Sequence, residues 1–116
     1  MIYVLAKFTV HTEHRAAFLE HSRKVIAETV KEPGCIAYDV AESTTNTNSF
    51  TSIEQWETRE ALGRHFETPH LKEWARILVP MTATLETDVI HSEKIEKLQP
   101  RSAPCGVSCW PDITLA

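Results

Sequence analysis

The sequence predicts an α+β protein of the ferredoxin-like βαββαβ kind with a broken second helix. Three observations predict it. Four segments alternate apolar and polar residues as strands do. Two amphipathic helical segments fall between them at the required places. A Thr-Pro pair interrupts the second of these helices. The chain has 116 residues, a length that suits a single domain.

The first strand spans residues 2–10, with Ile2, Val4, Ala6, Phe8 and Val10 on one face and Tyr3, Leu5, Lys7 and Thr9 on the other. Thr12 is expected to cap the first helix, and Glu13 suits its positive end. Phe18, Leu19, Val25, Ile26 and Val30 then mark one helical face. Pro33-Gly34 stops that helix. Ile36, Tyr38 and Val40 alternate with Ala37, Asp39 and Ala41 as a second strand, and the polar run 43–49 is a turn. The third strand, residues 50–56, sets Phe50, Ser52, Glu54 and Trp56 against Thr51, Ile53 and Gln55.

Thr58 is a second capping candidate, after which Ala61, Leu62, His65 and Phe66 share a short helical face. Thr68-Pro69 is the sharpest local signal: a cap followed by a proline at the first helical position, where a missing N–H costs nothing. A helix restarts there with Leu71, Trp74, Ala75 and Leu78 on one side, and Val79-Pro80 is expected to close it. Residues 82–92 alternate again as a fourth strand. Residues 1–98 therefore read as the folded domain. Residues 99–116, with three prolines and no periodicity, read as an irregular tail.

With both helices on one face of the sheet, the other face must meet water or a partner. Every strand carries apolar groups on both faces, which predicts a homodimer that stacks sheet on sheet.

Composition narrows the function. The formal net charge of −4 argues against a basic nucleic-acid binder. Hydrophobic residues at 42% and charged residues at 24% place the chain among globular proteins rather than disordered ones. Apolar runs are too short for a membrane-spanning helix, and the opening ten residues lack the basic start and cleavage site of a signal peptide. Three cysteines, an odd number, leave no complete disulfide framework, so a reducing cytoplasm is the expected location. Only three glycines occur, so a glycine-rich phosphate loop is not expected.

The run Glu32-Pro33-Gly34-Cys35 before Ile36-Ala37-Tyr38-Asp39-Val40, then Phe50, Glu54 and Trp56, then Ala61-Leu62, His65-Phe66 and Pro69-His70, resembles the antibiotic biosynthesis monooxygenase family. That family includes small quinol-monooxygenase-like proteins, and the likeness covers about residues 1–92. The resemblance implies a dimeric α+β barrel and the oxidation of phenolic or quinol-type substrates by O2, with neither metal nor flavin. Some relatives are isomerases.

Cofactor-free oxygen chemistry needs particular groups. Triplet O2 reacts with a closed-shell molecule only after an electron-rich phenolate or dienolate forms. A base must ionise the substrate, a dry aromatic pocket must orient it, and donors must meet the developing oxyanion. His65 is the first candidate for the base: imidazole titrates near pH 6.5, and Ala61 and Leu62 on the same face aim it inward. A core histidine bonded to a backbone carbonyl is the competing reading. Trp74 is expected as a pocket wall and N–H donor beside His70, its i, i+4 neighbour. Tyr38 is expected to donate to an oxyanion, and Phe50, Glu54, Phe66 and His70 to line the substrate space. Glu54 would orient His65 or pair with Arg59 or Arg64. Core packing is the alternative for each aromatic.

A metal centre is the chemical rival. His11, His14 and His21 lie close in sequence and His65 and His70 add two more, but neither C-x-x-C nor H-E-x-x-H occurs, so no metal is expected. Haem-degrading relatives resemble one another in carrying an asparagine on the first strand. Here Lys7 and Thr9 lie there, and Asn46 and Asn48 fall in the turn. Cys35 reads as structural, and Cys105 and Cys109 as ordinary tail cysteines. Three functions stay open: a cofactor-free monooxygenase on a quinol or polyphenol, a non-catalytic dimer binding a small hydrophobic ligand, and an isomerase using the same base. Light scattering at micromolar concentration is expected to give a dimer mass; a monomer contradicts the sheet-stacking argument.

Overall fold

The computed structural model describes residues 1–98, so the expected tail, with Cys105 and Cys109, lies outside the described residues. Strands β1 (Ile2–Val10), β2 (Cys35–Glu42), β3 (Ser49–Trp56) and β4 (Thr82–His91) are joined through helices α1 (Arg15–Thr29), α2 (Arg59–Phe66) and α3 (Pro69–Met81). The sheet is antiparallel throughout, in the order β2-β3-β1-β4. This is the expected α+β ferredoxin-like arrangement with its second helix divided into α2 and α3. Among the described residues no helix is long and apolar enough to cross a membrane.

Alternation along β1 buries Ile2, Val4, Phe8 and Val10 on the helix side, and β3 buries Phe50, Ser52, Glu54 and Trp56 there. Against them pack Phe18, Val25, Leu62, Trp74 and Leu78 from the three helices. Phe18 sits at the centre, with ring centroids 4.5 Å from Phe50, 5.4 Å from Phe8 and 5.5 Å from Trp74. Burying a ring of this size is worth about 1.5–3 kcal/mol, so this cluster anchors the helices to the sheet.

Both later caps form as expected. Thr58 Oγ1 accepts from the Ala61 N–H at 3.1 Å, and Thr68 Oγ1 accepts from the Leu71 N–H at 3.3 Å. The Thr68 hydroxyl also donates to the His65 carbonyl at 2.7 Å. One side chain thus joins the end of α2 to the start of α3 and fixes His65 and His70 relative to each other.

Four local expectations are corrected. Thr12 does not cap α1. It begins a 3-10 turn (Thr12–His14), and its hydroxyl accepts from the Asn48 side chain at 3.0 Å. Arg15 opens α1 instead, donating to the Glu42 carboxylate on β2 and to the Asn48 side-chain Oδ1. The Arg15 guanidinium and the Asn48 N–H hold the Glu42 carboxyl down at about 2. The buried stripe of α1 runs Phe18, Ser22, Val25, Thr29, so Val30 at the helix end is half exposed. In β2 a bulge between Cys35 and Ala37 turns Ile36 outward, while Tyr38 stays buried. Finally, Pro80 sits inside the last turn of α3 instead of ending it at Val79. Its missing N–H deprives only the Arg76 carbonyl, four residues back, of its helical partner, so the loss is confined to the end of the helix.

Gly34 sets how closely the α1–β2 loop approaches α2. Its φ is +86°, and a Cβ on it would stand 2.5 Å from Ala61 Cβ. Only glycine meets both demands. Gly34→Ala is expected to lower stability by about 2 kcal/mol or more, read as a fall in the denaturation midpoint. An unchanged midpoint would show that the loop stands off α2.

Candidate functional site

A cavity of about 250 Å³ lies between the sheet and the helices α2 and α3. Val4, Ala6 and Phe8 of β1 form its floor, and Tyr38, Glu54, His65, Phe66 and Trp74 contribute to its walls. Leu85 and Val79, 51% and 67% exposed, stand on its β4–α3 side. Of the residues expected from sequence to form a site, these five wall residues come together. Phe50 does not: it packs on Phe18 and Phe8 in the aromatic core. His70 does not either; it lines a separate groove between α1 and α3.

His65 is the most constrained of these groups. Only 1% of it is exposed, because α2 presents it on the same face as Ala61 and Leu62, against β3 and β2. Its ring lies 4.7 Å from that of Trp56 and 5.5 Å from that of Tyr38. Its Nδ1 is 2.7 Å from Glu32 Oε2. The same oxygen lies 2.7 Å from His70 Nε2. An ionised carboxylate offers only acceptors, so each of these bonds takes its proton from an imidazole. His65 in its neutral form is therefore the Nδ1–H tautomer, with the lone pair on Nε2. That atom makes no hydrogen bond among the described residues, and the ring borders the cavity.

Glu32 is the residue that sequence reasoning missed. Glu54, which the sequence offers as the orienting carboxylate for His65 or a partner for Arg59 or Arg64, fills neither role. It is bound instead to its own strand: Ser52 Oγ donates to it at 2.8 Å and Trp56 Nε1 at 3.1 Å. Burial pushes the Glu54 carboxyl above the ordinary carboxylate range, and these two donors only partly offset that. Burial also raises the Tyr38 phenol well above its usual range, helped by the nearby Glu54 charge. Tyr38 consequently stays protonated and remains a donor at any ordinary pH. Cys35, pushed up to about 11 mainly by burial and then by Glu32, is an unreactive thiol, as its structural reading implies.

The metal-ligand set weighed from sequence is not the one the fold assembles. Glu32 Oε2, His65 Nδ1 and His70 Nε2 all lie within 4.8 Å of one another. No such grouping of His11, His14 and His21 occurs among the described residues.

The comparisons with known proteins agree with this architecture. The profile of the antibiotic biosynthesis monooxygenase family matches residues 1–77, and the chain belongs to that family. An uncharacterized protein of Synechocystis sp. is 37% identical over 73 residues, which cover 63% of this chain and 50% of the relative. The chain thus matches half the length of that protein. The probable quinol monooxygenase YgiN of Escherichia coli is 31% identical over 85 residues, covering 65% of this chain and 82% of YgiN. Among solved structures, a conserved protein from Methanosarcina mazei superposes with a TM-score of 0.77 at 30% identity, covering 79% of this chain and 92% of that one.

Glu54 supplies a test of the site's electrostatics. Its folded-state pKa is raised, so the folded state holds the proton more tightly than the unfolded chain does. Its contribution to stability is complete below the ordinary carboxylate pKa and declines as pH rises through the higher folded value. Glu54→Gln, which cannot ionise, is expected to raise the melting temperature relative to the parent, by an amount that grows between pH 5 and pH 8. Thermal unfolding across that range checks it; a constant difference would mean that Glu54 is not perturbed.

Proposed function

We propose that this chain is a cofactor-independent monooxygenase that oxidises an aromatic quinol or polyphenol with O2, and that His65 is its base. The observation that carries this reading is the held tautomer: Glu32 accepts from Nδ1–H and leaves a basic Nε2 on a cavity walled by Tyr38, Phe66 and Trp74. Family membership and the likeness to a relative named a probable quinol monooxygenase support it.

In this reading Nε2 takes the phenolic proton of a bound substrate, and the Glu32 carboxylate stabilises the imidazolium that results. The phenolate passes one electron to O2, and the radical pair recombines with the spin barrier removed. One oxygen atom enters the ring, the other leaves as water, and the substrate supplies the electrons. A phenol plus O2 gives a quinone plus water, or a quinol plus O2 gives a hydroxyquinone plus water. The Tyr38 phenol and the Trp74 indole N–H are the donors for the developing oxyanion. Trp74 Nε1 makes no hydrogen bond among the described residues, so its N–H is available. Glu54 and Phe66 bound the substrate space. His70 acts at one remove: it shares Glu32 with His65 and so helps to fix that carboxylate.

The same reading takes the working unit as a cytoplasmic homodimer formed by residues 1–98. Tyr3, Leu5, Ile53 and Ile90 lie together on the sheet face away from the helices, paired across β1, β3 and β4. Ile53 and Ile90 are 46% and 43% exposed, an apolar surface that a second sheet would bury.

Oxygen uptake with a panel of hydroquinones tests the function. Turnover is expected, and His65→Ala is expected to reduce it about 100-fold, with His65→Gln as a bulkier control and circular dichroism to confirm folding. Undiminished turnover in folded variants removes His65 from the role of base. Tight binding without turnover identifies a ligand-binding dimer, and a product of unchanged mass identifies an isomerase.

A further inference from the structure

We propose that Glu32, His65 and His70 form a binding site for one divalent transition-metal ion of the zinc class, and that filling it silences His65.

The three ligand atoms come from three separate elements: the loop after α1, the α2 helix and the first turn of α3. They converge because Gly34 lets the loop touch α2 and because Thr68 clamps α2 to α3. Each imidazole nitrogen lies 2.7 Å from the one carboxylate oxygen. Zinc binds imidazole nitrogen and carboxylate oxygen at about 2.0–2.2 Å, which in tetrahedral geometry spaces the ligands roughly 3.4 Å apart. Each hydrogen bond must therefore open by well under 1 Å on metal binding. His70 is able to make that movement: it is 22% exposed on its side chain and borders the groove between α1 and α3, whereas His65 is held among rings. The groove also offers the ion a way in. Two nitrogen donors and one carboxylate favour zinc, cobalt or nickel over magnesium or calcium. The fourth position is left to water or an added ligand.

Occupancy changes the histidine in a defined way. A metal on Nδ1 uses the lone pair there, so the neutral ring must carry its proton on Nε2. His70 makes the opposite exchange, with its proton moving to Nδ1. Glu32 stays ionised, and no proton is gained or lost overall. With Nε2 protonated, His65 presents a donor to the cavity where the apo protein presents a base. The silencing rests on His65 being the base proposed above. The binding does not, and it is measured without any substrate.

Calorimetric titration of the full metal-free chain with Zn2+ tests the site, with Mg2+ as the control ion. One Zn2+ is expected to bind with micromolar or tighter affinity, Mg2+ is expected not to bind, and Glu32→Gln or His70→Ala is expected to weaken the zinc affinity tenfold or more. An unchanged affinity and stoichiometry in both variants overturns the proposal and places any bound zinc elsewhere, such as His11 and His14 or the tail cysteines. If a variant fails to fold, imidazole 15N shifts of the parent decide the matter. Zinc is expected to move the signals of His65 and His70, and a response confined to other histidines refutes the site.

Discussion

A single carboxylate oxygen, Glu32 Oε2, organises this molecule's chemistry by standing between two imidazoles. A histidine buried among Trp56, Tyr38 and Phe66 could keep either ring nitrogen protonated. The carboxylate removes that choice: it has only lone pairs to offer, so the proton stays on the side away from the cavity. A core histidine bonded to a backbone carbonyl would also have a fixed tautomer. What distinguishes this one is a charged partner that stabilises the imidazolium as well as orienting the neutral ring.

The fold is arranged to bring these groups together. Glu32 and His65 are 33 residues apart in sequence. Their contact depends on a glycine that admits α2 to the loop, and on a capping threonine that ties one half-helix to the next. The break at Glu67-Thr68 is more than a kink. It restarts the chain so that His70, in the first turn of α3, points back at the residue its neighbour His65 already holds. The cavity and the three-residue cluster consequently share His65 and divide its two nitrogens between them. Nδ1 is bonded to Glu32, and Nε2 makes no hydrogen bond among the described residues. Under the two proposals, this division makes the role of base and the role of metal ligand exclude each other.

Much of this was legible in the sequence, and the rest had physical reasons for staying hidden. Strand alternation placed Val4, Phe8, Glu54 and Trp56 on the core face, and Thr58 and Thr68-Pro69 marked the helix starts, because these are local signals of side-chain period and hydrogen-bonding need. The inward aim of His65 followed from Ala61 and Leu62 on the same face. Glu32 was not legible as a partner, since an acidic residue before a Pro-Gly turn looks solvated until the loop is seen against α2. Glu54, the acidic residue on the half-apolar strand, drew the expectation instead, and its lone pairs turned out to be used within β3. Phe50 satisfied the same pattern as a cavity wall would, but an aromatic on a core face packs wherever other rings are dense, and Phe18 is there. Ile36 defeated the alternation because a bulge inserts one residue and reverses the faces beyond it. Pro80 did not end α3, since only its last turn was at stake.

Neutral His65 is expected to carry its proton on Nδ1 and to keep a lone pair on Nε2. Long-range 1H–15N correlation spectra of the imidazole in the metal-free protein, above the pH at which the ring is charged, measure this directly. A pyrrole-type Nδ1 and a pyridine-type Nε2 are expected for His65, with little exchange between them. A protonated Nε2, or the averaged shifts of two interconverting tautomers, would contradict it.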